Sequence, residues 1–490
     1  MQIRCPSPRL AFAAHVPPSL ALATTLALSL CGCSLAPAYH PPSLPSPDGW
    51  NSPALSTPSS SIRPTTVRAE WWKHFSSSQL DRLMAKALTD SLTLQAAAAR
   101  VQQAEGQARI AGAPLVPSLS LSGVTKLSTQ SVGRSSREVL AQASYELDFW
   151  GKNRNAAASA KALVEASDFD ADTVAMTLSA SVANGYFTLL SLDERIALAR
   201  EAARAARRQR DLIETQRSYG AATDLQLHQQ EAALATYLAA VPALTQQRAA
   251  AFHALAVLCG QTPEQFRLDS AESLAAITEP TIRPDMPADL LALRPDIQAA
   301  EARLRSANFD IGVARAAFFP SLILSPSGGI DAASTSKLFP PAALGSLGGS
   351  LLAPLFQGGA LSGQLKVNRA RKLELVATYR QTVLTAYQDV EDMLSALAQL
   401  RDQEALQATA VKAAGQAATL AEQQYRLGGA DELTVLTTRQ SLYQAQDSLA
   451  QIHLQQLEAS VGLCRALGGG FGLSDRTPRP IPSLSDGSNP

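Results

Sequence analysis

Hydrophobic and polar residues alternate without interruption between residues 141 and 149 of the chain. The apolar face of this stretch comprises Val139, Ala141, Ala143, Tyr145, Leu147 and Phe149, and the polar face comprises Gln142, Ser144, Glu146 and Asp148. Such period-two alternation predicts a β-strand with one apolar and one polar face. Extended stretches near 115–127, 318–330 and 345–356 complete two predicted hairpins. Pro117 and Pro320 lie at strand starts, where proline is tolerated.

Apolar residues recur at helical spacing through two much longer stretches, in steps of three and four in the first and in a heptad rhythm, with Arg380 as the exception, in the second. The first series is Val174, Leu178, Val182, Tyr186, Leu189, Leu192, Ile196, Ala199 and Ala203, and the second is Val376, Val383, Tyr387, Val390, Leu394 and Leu397. This spacing predicts long helices over 151–218 and 359–427 that supercoil against neighbours. At ~1.5 Å per residue each would be about 100 Å long. Glycine-containing turns then predict return helices over 223–259 and 432–467.

The chain repeats itself. Residues 91–100 align with 294–303 at a shift of 203, and the same shift carries Pro117-Ser-Leu onto Pro320-Ser-Leu. Further on, 219–225 aligns with 427–433 at a shift of 208. A shift this constant over such a distance indicates a tandem duplication and not a short-period solenoid.

Duplication and composition together divide the chain into six segments. Each repeat is predicted to run from a helix through a hairpin (115–149 or 318–356) and a long helix to a return helix. The segments are a signal peptide (1–32), an extended Pro/Ser-rich linker (33–68), a first repeat (69–260), an equatorial connector (261–286), a second repeat (287–467) and a flexible tail (468–490).

The amino terminus has the features of a lipoprotein signal. An apolar stretch over 21–30 precedes Leu30-Cys31-Gly32-Cys33. Because a small residue must precede the modified cysteine, Cys33 and not Cys31 is predicted to become the lipidated mature terminus. Cys259 and Cys464 then remain in an oxidising compartment. We expect two free thiols, with a disulfide between them as the alternative.

Composition excludes several functional classes. The 42 basic residues balance 42 acidic ones, so no domain-wide basic field is available for nucleic acid. We find no nucleophile–base pair, phosphate-binding loop, or cysteine and histidine spacing for a metal. Glu146 and Asp148 are interpreted as a solvated strand face, and His228 lacks a ligand partner in sequence. The sequence predicts neither an enzyme nor a cofactor.

The edges of the predicted sheet and the apolar faces of the predicted helices are difficult to cover within one chain. A strand of this kind could belong to a soluble sheet, and the helical stripes could form an ordinary core. Open sheet edges are not tolerated in lipid, however, and membrane barrels need ~8 or more strands. Four strands per chain therefore imply that several copies close one barrel.

Several segments, taken in order, resemble the TolC-like outer-membrane factors, specifically their lipidated NodT/OprM-type branch. The matching segments are Cys33-Ser-Leu-Ala-Pro-Ala-Tyr39, Trp71-Trp-Lys-His-Phe75, Gln79-Leu-Asp-Arg-Leu83, Asp148-Phe-Trp-Gly-Lys152, Leu293-Arg-Pro-Asp-Ile297, Pro320-Ser-Leu and Ala466-Leu-Gly-Gly-Gly470. The resemblance implies a mainly α fold with membrane β structure: a homotrimer whose helices form an α-barrel in the periplasm and whose strands form a shared twelve-stranded barrel in the outer membrane.

By the same resemblance, the protein would be the passive exit duct of a tripartite, RND-type efflux system for drugs, metals or other small solutes. Its partners would be outer-membrane lipid, a periplasmic adaptor and an inner-membrane pump. The alternatives are the duct of a type I protein-secretion system, which shares the fold, and a monomeric helical lipoprotein with a structural role.

The resemblance also places the periplasmic entrance and adaptor contact at the two helix turns. The residues concerned are Tyr219, Gly220, Asp224 and Leu225 in the first repeat and Tyr425, Gly428, Asp431, Glu432 and Leu433 in the second. Leu433 matches an apolar constriction, and Tyr425 a residue that helps to hold the closed state. Related channels carry an aspartate and an arginine as locking partners where this chain has Thr437 and Gln440, next to Arg439. Asp431, Glu432 and Arg439 are therefore candidates for a substitute latch; ordinary turn and cap chemistry is the alternative for each tip residue.

Overall fold

The computed structural model describes residues 34–43, 47, 49–51, 70–126, 136–268, 272–280, 282, 287, 290–332 and 342–469. The predicted signal peptide, Cys33, most of the predicted linker and nearly all of the tail lie outside these residues. In the first repeat the chain forms α1 (Ser78–Asp90), α2 (Leu92–Gly112), β1 (Ser118–Lys126), β2 (Ser136–Leu147), α3 (Lys152–Ser218) and α4 (Asp224–Leu258). In the second it forms α5 (Leu290–Leu293), α6 (Pro295–Ala316), β3 (Ser321–Ala332), β4 (Ala342–Leu352), α7 (Ala360–Arg426) and α8 (Glu432–Ala466).

The predicted fold class is confirmed: the described chain is mainly helical, with one small antiparallel sheet. Two local details differ from the sequence prediction. The first helical stretch is broken, because Ser91 has an extended backbone between α1 and α2. Phe149 lies beyond the end of β2 and is not part of its apolar face.

The chain divides into two compact units, the first comprising residues 1–40, 105–163 and 304–374. This unit contains the sheet, in which the strands are hydrogen-bonded in the order β1-β2-β3-β4. All three pairings are antiparallel, with Leu121 opposite Ala141, Val139 opposite Ile330 and Leu324 opposite Gly349.

This register collects apolar residues from every strand on one face, because directly opposed residues share a face. The apolar face includes Leu119, Leu121, Val139, Ala141, Tyr145, Leu147, Leu322, Leu324, Ile330, Leu347 and Leu351. The pairing of β2 with β3 skips the residues opposite Pro326, which has no N–H to donate. The other face is rich in serine; Ser120, for example, donates to the carbonyl of Gln142.

A short connection links β2 to α3. Asp148 accepts hydrogen bonds from the backbone N–H groups of Asn153 (3.1 Å) and Arg154 (2.8 Å), which satisfies free donors at the helix start. Gly151 adopts φ 72°, which favours glycine. Trp150 donates to the carbonyl of Pro320 at 2.8 Å and stacks on Phe319. The segment 148–152 therefore joins the strands of the two repeats.

The second unit comprises residues 41–104, 164–303 and 375–490 and contains the main apolar clusters. Trp71, Phe75, Phe187 and both remaining cysteines belong to one cluster. Cys259 and Cys464 are free thiols, as the sequence analysis expected. Burial raises the pKa of Cys259 to about 11. Within the described residues, no helix combines the length and apolarity needed to cross a membrane.

Candidate functional site

The helix turns of the second unit follow one geometric scheme. We call residues 219–223 tip 1 and residues 427–431 tip 2. Gly220 and Gly428 adopt φ 75° and 77°, the left-handed conformation that ends many helices. In tip 1 the N–H of Ala221 binds the carbonyl of Gln216 at 2.8 Å; in tip 2 the N–H of Gly429 binds that of Gln424, also at 2.8 Å. The predicted roles of Gly220 and Gly428 as turn residues therefore have a direct structural reason.

Each return helix begins with a polar cap. Thr223 and Gln226 form a capping box at the start of α4. Asp431 accepts a hydrogen bond of 2.8 Å from the N–H of Thr434 at the start of α8. Hydrogen bonds from Thr434 hold the pKa of Asp431 below its usual range. Asp431 thus serves as a helix cap, the alternative considered for the tip residues.

Large apolar side chains project into solvent around both turns. Tyr219 is 84% exposed, Leu225 67%, Leu427 87% and Leu433 50%. Leu427 was missing from the predicted site, although its alignment with Tyr219 could have indicated it. An exposed apolar group at the end of a helix pair is typical of a surface that contacts another molecule.

The two tips differ at one pair of equivalent positions. In the first repeat, Arg217 forms an ion pair with Asp224, and both side chains are largely exposed. The duplication aligns these residues with Tyr425 and Glu432. Glu432 is only 2% exposed and forms none of the ion pairs found among the described residues. The second repeat has therefore replaced a surface ion pair with a buried carboxyl group.

Glu432 receives hydrogen bonds from helices α3 and α4 of the first repeat. The amide of Gln209, on α3, donates to its two oxygens at 3.0 and 2.8 Å, and the amide of Gln230, on α4, donates at 2.7 Å. Tyr425, on α7, also lies within hydrogen-bonding reach of the carboxyl group and donates to Gln216 at 2.9 Å. One acidic residue thus contacts three other helices. Neither glutamine was identified from the sequence, because neither belongs to a turn.

Burial is the main influence on the pKa of Glu432 and raises it, whereas Gln209, Tyr425 and the charge of Arg439 act in the opposite direction. The net pKa is higher than usual for glutamate. The cause is loss of water around a charge that only neutral groups contact directly.

Arg439 does not pair with either acidic residue of the predicted substitute latch. Its guanidinium binds Glu422, on α7, at 2.7 Å and donates to the carbonyl of Ala205, on α3, at 3.2 Å. The hydroxyl of Thr437 bonds to the carbonyl of Leu433 within its own helix. Asp431, Glu432 and Arg439 therefore have three separate sets of partners. Within this protomer they do not form one ionic latch with each other.

A cavity of about 270 Å³ lies next to this network. Its lining includes Gln209, Gln230, Tyr237, Glu422 and Arg439. The cavity is large enough for several waters and carries polar groups that can bind them.

The other candidate groups have ordinary partners. Glu146 pairs with Lys152, and His228 contacts Glu231. No group of three or more histidine, cysteine, aspartate or glutamate side chains suited to a metal occurs in the described part of the chain.

The residues that follow Cys33 are held against α3 and α6 within the first unit. Ser34 donates to Asn155 at 3.0 Å, Arg315 to the carbonyl of Leu35 at 3.1 Å and Asn308 to that of Pro37 at 2.7 Å. Cys33 itself lies outside the described residues. Its neighbours are nevertheless fixed by three hydrogen bonds.

The sequence and the fold of the chain are similar to those of known proteins. A family model described as outer membrane efflux protein matches residues 83–261 and 286–469. The chain is 38% identical over 460 residues to the pyoverdine export outer membrane protein OpmQ of Pseudomonas putida, which covers 91% of this chain and 96% of that protein. It is 31% identical to the outer membrane protein OprJ of Pseudomonas aeruginosa, covering 92% and 95% respectively. The solved structure of the outer membrane protein VceC of Vibrio cholerae is similar, with a TM-score of 0.76 and 30% identity, covering 84% of this chain and 100% of that one.

Proposed function

Because the chain belongs to the outer membrane efflux protein family and is the outer-membrane component of an efflux system, we propose that three copies of it form the exit duct. The observation that carries this proposal is the open sheet. Strands β1 and β4 are edge strands, and their unpaired backbone groups require partners if the sheet is to lie in lipid.

Neighbouring copies supply those partners. If β4 of one copy pairs with β1 of the next, three copies close a barrel of twelve strands. This number lies within the range of strand numbers found in outer-membrane barrels. The apolar face of the sheet, with Leu119, Leu121, Leu347 and Leu351 each more than two thirds exposed, then contacts lipid. The serine-rich face lines the duct.

Cys33 is the proposed lipid anchor. The hydrogen bonds from Asn308 and Arg315 to the backbone just after it support this assignment, because they hold residues 35 and 37 within the unit that contains the sheet. One lipidated terminus per copy adds membrane affinity to that of the sheet.

The two tips are the proposed periplasmic entrance. Their exposed apolar residues are suited to contact with an adaptor protein, through which an inner-membrane pump delivers the solute and supplies the energy. Leu433 is the proposed apolar constriction. Replacing Leu433 with serine should raise the leak conductance of the purified channel in a planar bilayer, whereas the same change at Leu212, a partly exposed residue of α3 outside the tips, serves as the control. Equal conductance in both variants and the wild type would contradict the role of Leu433.

The proposed cargo is a small solute, such as a drug, a metal or another small molecule. One relative is named for pyoverdine export and another for toluene efflux, so siderophore-like and apolar solutes are the first classes to test. The test is export by cells that lack the gene, with and without a plasmid-borne copy.

Native mass spectrometry of the protein extracted from outer membranes in mild detergent tests assembly and anchoring together. We expect a particle of three subunits, each acylated at Cys33. A Cys33→Ser variant should lose the lipid mass and leave the subunit ratio of the remaining particle unchanged. A wild-type protein that is entirely monomeric while folded would contradict the proposal, because four strands cannot close on themselves.

A further inference from the structure

The two tips carry an acidic residue at equivalent positions, but its environment differs between the repeats. At equivalent positions, Asp224 is a solvated carboxylate paired with Arg217, and Glu432 is a buried carboxyl group surrounded by neutral donors. The backbone of the two turns is the same, so the turn geometry does not explain the difference. The difference between Asp224 and Glu432 is explained by the packing of Glu432 against the first repeat.

We propose that Glu432 is a proton-sensitive pin between the two helix pairs of each protomer, and that protonation of its carboxyl group favours the closed arrangement of the tips. The proposal rests on the function of the tips as an entrance. It assigns the control of that entrance to a residue that no ion pair holds among the described residues.

The hydrogen bonds explain how Glu432 acts as a pin. It is the first residue of α8, and its partners Gln209 and Gln230 lie on α3 and α4. Separating α7 and α8 from α3 and α4 breaks all three amide hydrogen bonds and leaves two buried amides without their acceptor. A buried polar group without a partner costs ~1–3 kcal/mol.

The charge of Glu432 acts against that pin. Its direct partners are neutral, so the ionised carboxylate is buried without a cation in contact, which is unfavourable. The charged and titratable groups nearest to it are Tyr425 on α7, Asp431 at the cap of α8 and Arg439 on α8, which is paired with Glu422 of α7. From α3, Glu201 and Arg208 line the adjoining cavity, whereas α3 and α4 present only the amides of Gln209 and Gln230 to the carboxyl group itself.

The sign of the pH dependence follows from these environments. In the closed tip, burial raises the pKa of Glu432; in a separated tip, where water reaches the group, its pKa returns to the ordinary glutamate range. The closed state therefore binds the proton more tightly. Lowering the pH through the interval between the two pKa values favours the closed state, and raising the pH favours the separated one.

The cavity provides a route for the proton. Gln209 and Gln230 contact Glu432 and also line the cavity of about 270 Å³. These two side chains therefore connect the carboxyl group with the cavity. The proton can then exchange without unfolding of the tip.

Double electron–electron resonance on the full-length lipidated protein tests the pin. Spin labels at the equivalent exposed positions Ser218 and Arg426 report the separation of the tips; Cys259 and Cys464 are buried, so they are poor targets for the label. We expect the wild type to shift towards longer distances as the pH rises from the ordinary glutamate range through the raised pKa of Glu432, with the ratio of separated to closed tips changing by up to about tenfold per pH unit for one linked proton.

Two matched variants separate protonation from shape. Glu432→Gln keeps the size and the hydrogen-bond acceptor but cannot ionise, so the tips should stay closed across the whole pH range. Glu231→Gln makes the same change at an exposed glutamate of α4 outside the tips and should behave like the wild type. The proposal is wrong if Glu432→Gln keeps the wild-type pH response, or if the wild type shows none.

Bilayer conductance of the same samples distinguishes this inference from the proposed function. If the distances respond to pH through Glu432 and the conductance does not, the pin is correct and the tips are not the entrance. If the conductance responds and the distances do not, another group controls the channel and the pin is wrong.

Discussion

Arg294 is the best-connected buried charge of the second repeat, and replacing it should destabilise the protein substantially. Its guanidinium donates to Asp296 through two nitrogens (3.1 and 2.7 Å), to Asp389 at 3.1 Å and to the carbonyl of Ala466 at 3.1 Å. These acceptors lie on α6, α7 and α8. The arginine side chain is 7% exposed, whereas the two carboxylates are 27% and 33% exposed.

The structure sets the size of the effect. Removing one member of a buried ion pair costs about 3–5 kcal/mol, because the remaining charge loses its partner. The carboxylates here can recover some hydration, so we expect Arg294→Met to lower the free energy of unfolding by about 3 kcal/mol, at the lower end of that range. The free energy of unfolding of Arg294→Lys should lie between those of the wild type and Arg294→Met, because an ammonium group keeps the charge but cannot bind a carboxylate with two parallel hydrogen bonds.

Urea titration of the detergent-solubilised protein, followed by circular dichroism, measures the change. Arg371→Met is the matched control, since its ion pair with Glu374 has both side chains more than half exposed, and it should cost less than about 1 kcal/mol. If Arg294→Met costs no more than this control, the buried network does not stabilise the second repeat and the reasoning fails.

Two further predictions concern stability. Gly260→Ala should be severely destabilising, because an added Cβ would lie 2.3 Å from the carbonyl oxygen of Asp90. Gly220→Ala, at a similar φ but with nothing within 4 Å of the added Cβ, should lower the free energy of unfolding by only about 1 kcal/mol. Thermal melting of both variants measures the difference, and equal losses of stability would refute the steric argument. Burial alone would raise the pKa of Glu272, but hydrogen bonds from Ser77 and Tyr186 lower it overall. Its contribution to stability is therefore present above the ordinary glutamate pKa and is lost as the pH falls through the lowered one, so Glu272→Gln should flatten the acid limb of a stability profile; an unchanged limb would contradict this assignment.

Local sequence patterns predict much of the fold. The period-two stretch around Tyr145 predicts a strand, the repeated apolar spacing predicts α3 and α7, and the glycines at 220 and 428 predict the turns that reverse them. Each of these features depends on residues a few positions apart, whose backbone preferences and side-chain spacing are fixed by the chain itself. The lipidated terminus at Cys33 was likewise predicted from adjacent residues and stays a prediction.

Only the tertiary structure decided how these elements meet. The register that places Leu119, Tyr145 and Leu351 on one face of the sheet depends on pairing across distant strands. Position 432 looks like a solvated acidic residue in the first turn of a helix, as Asp224 is, and only the packing of Gln209 and Gln230 against it makes it a buried one. The reason is physical: burial and hydrogen-bond partners arise from segments more than two hundred residues apart, and no local pattern records which of them come into contact.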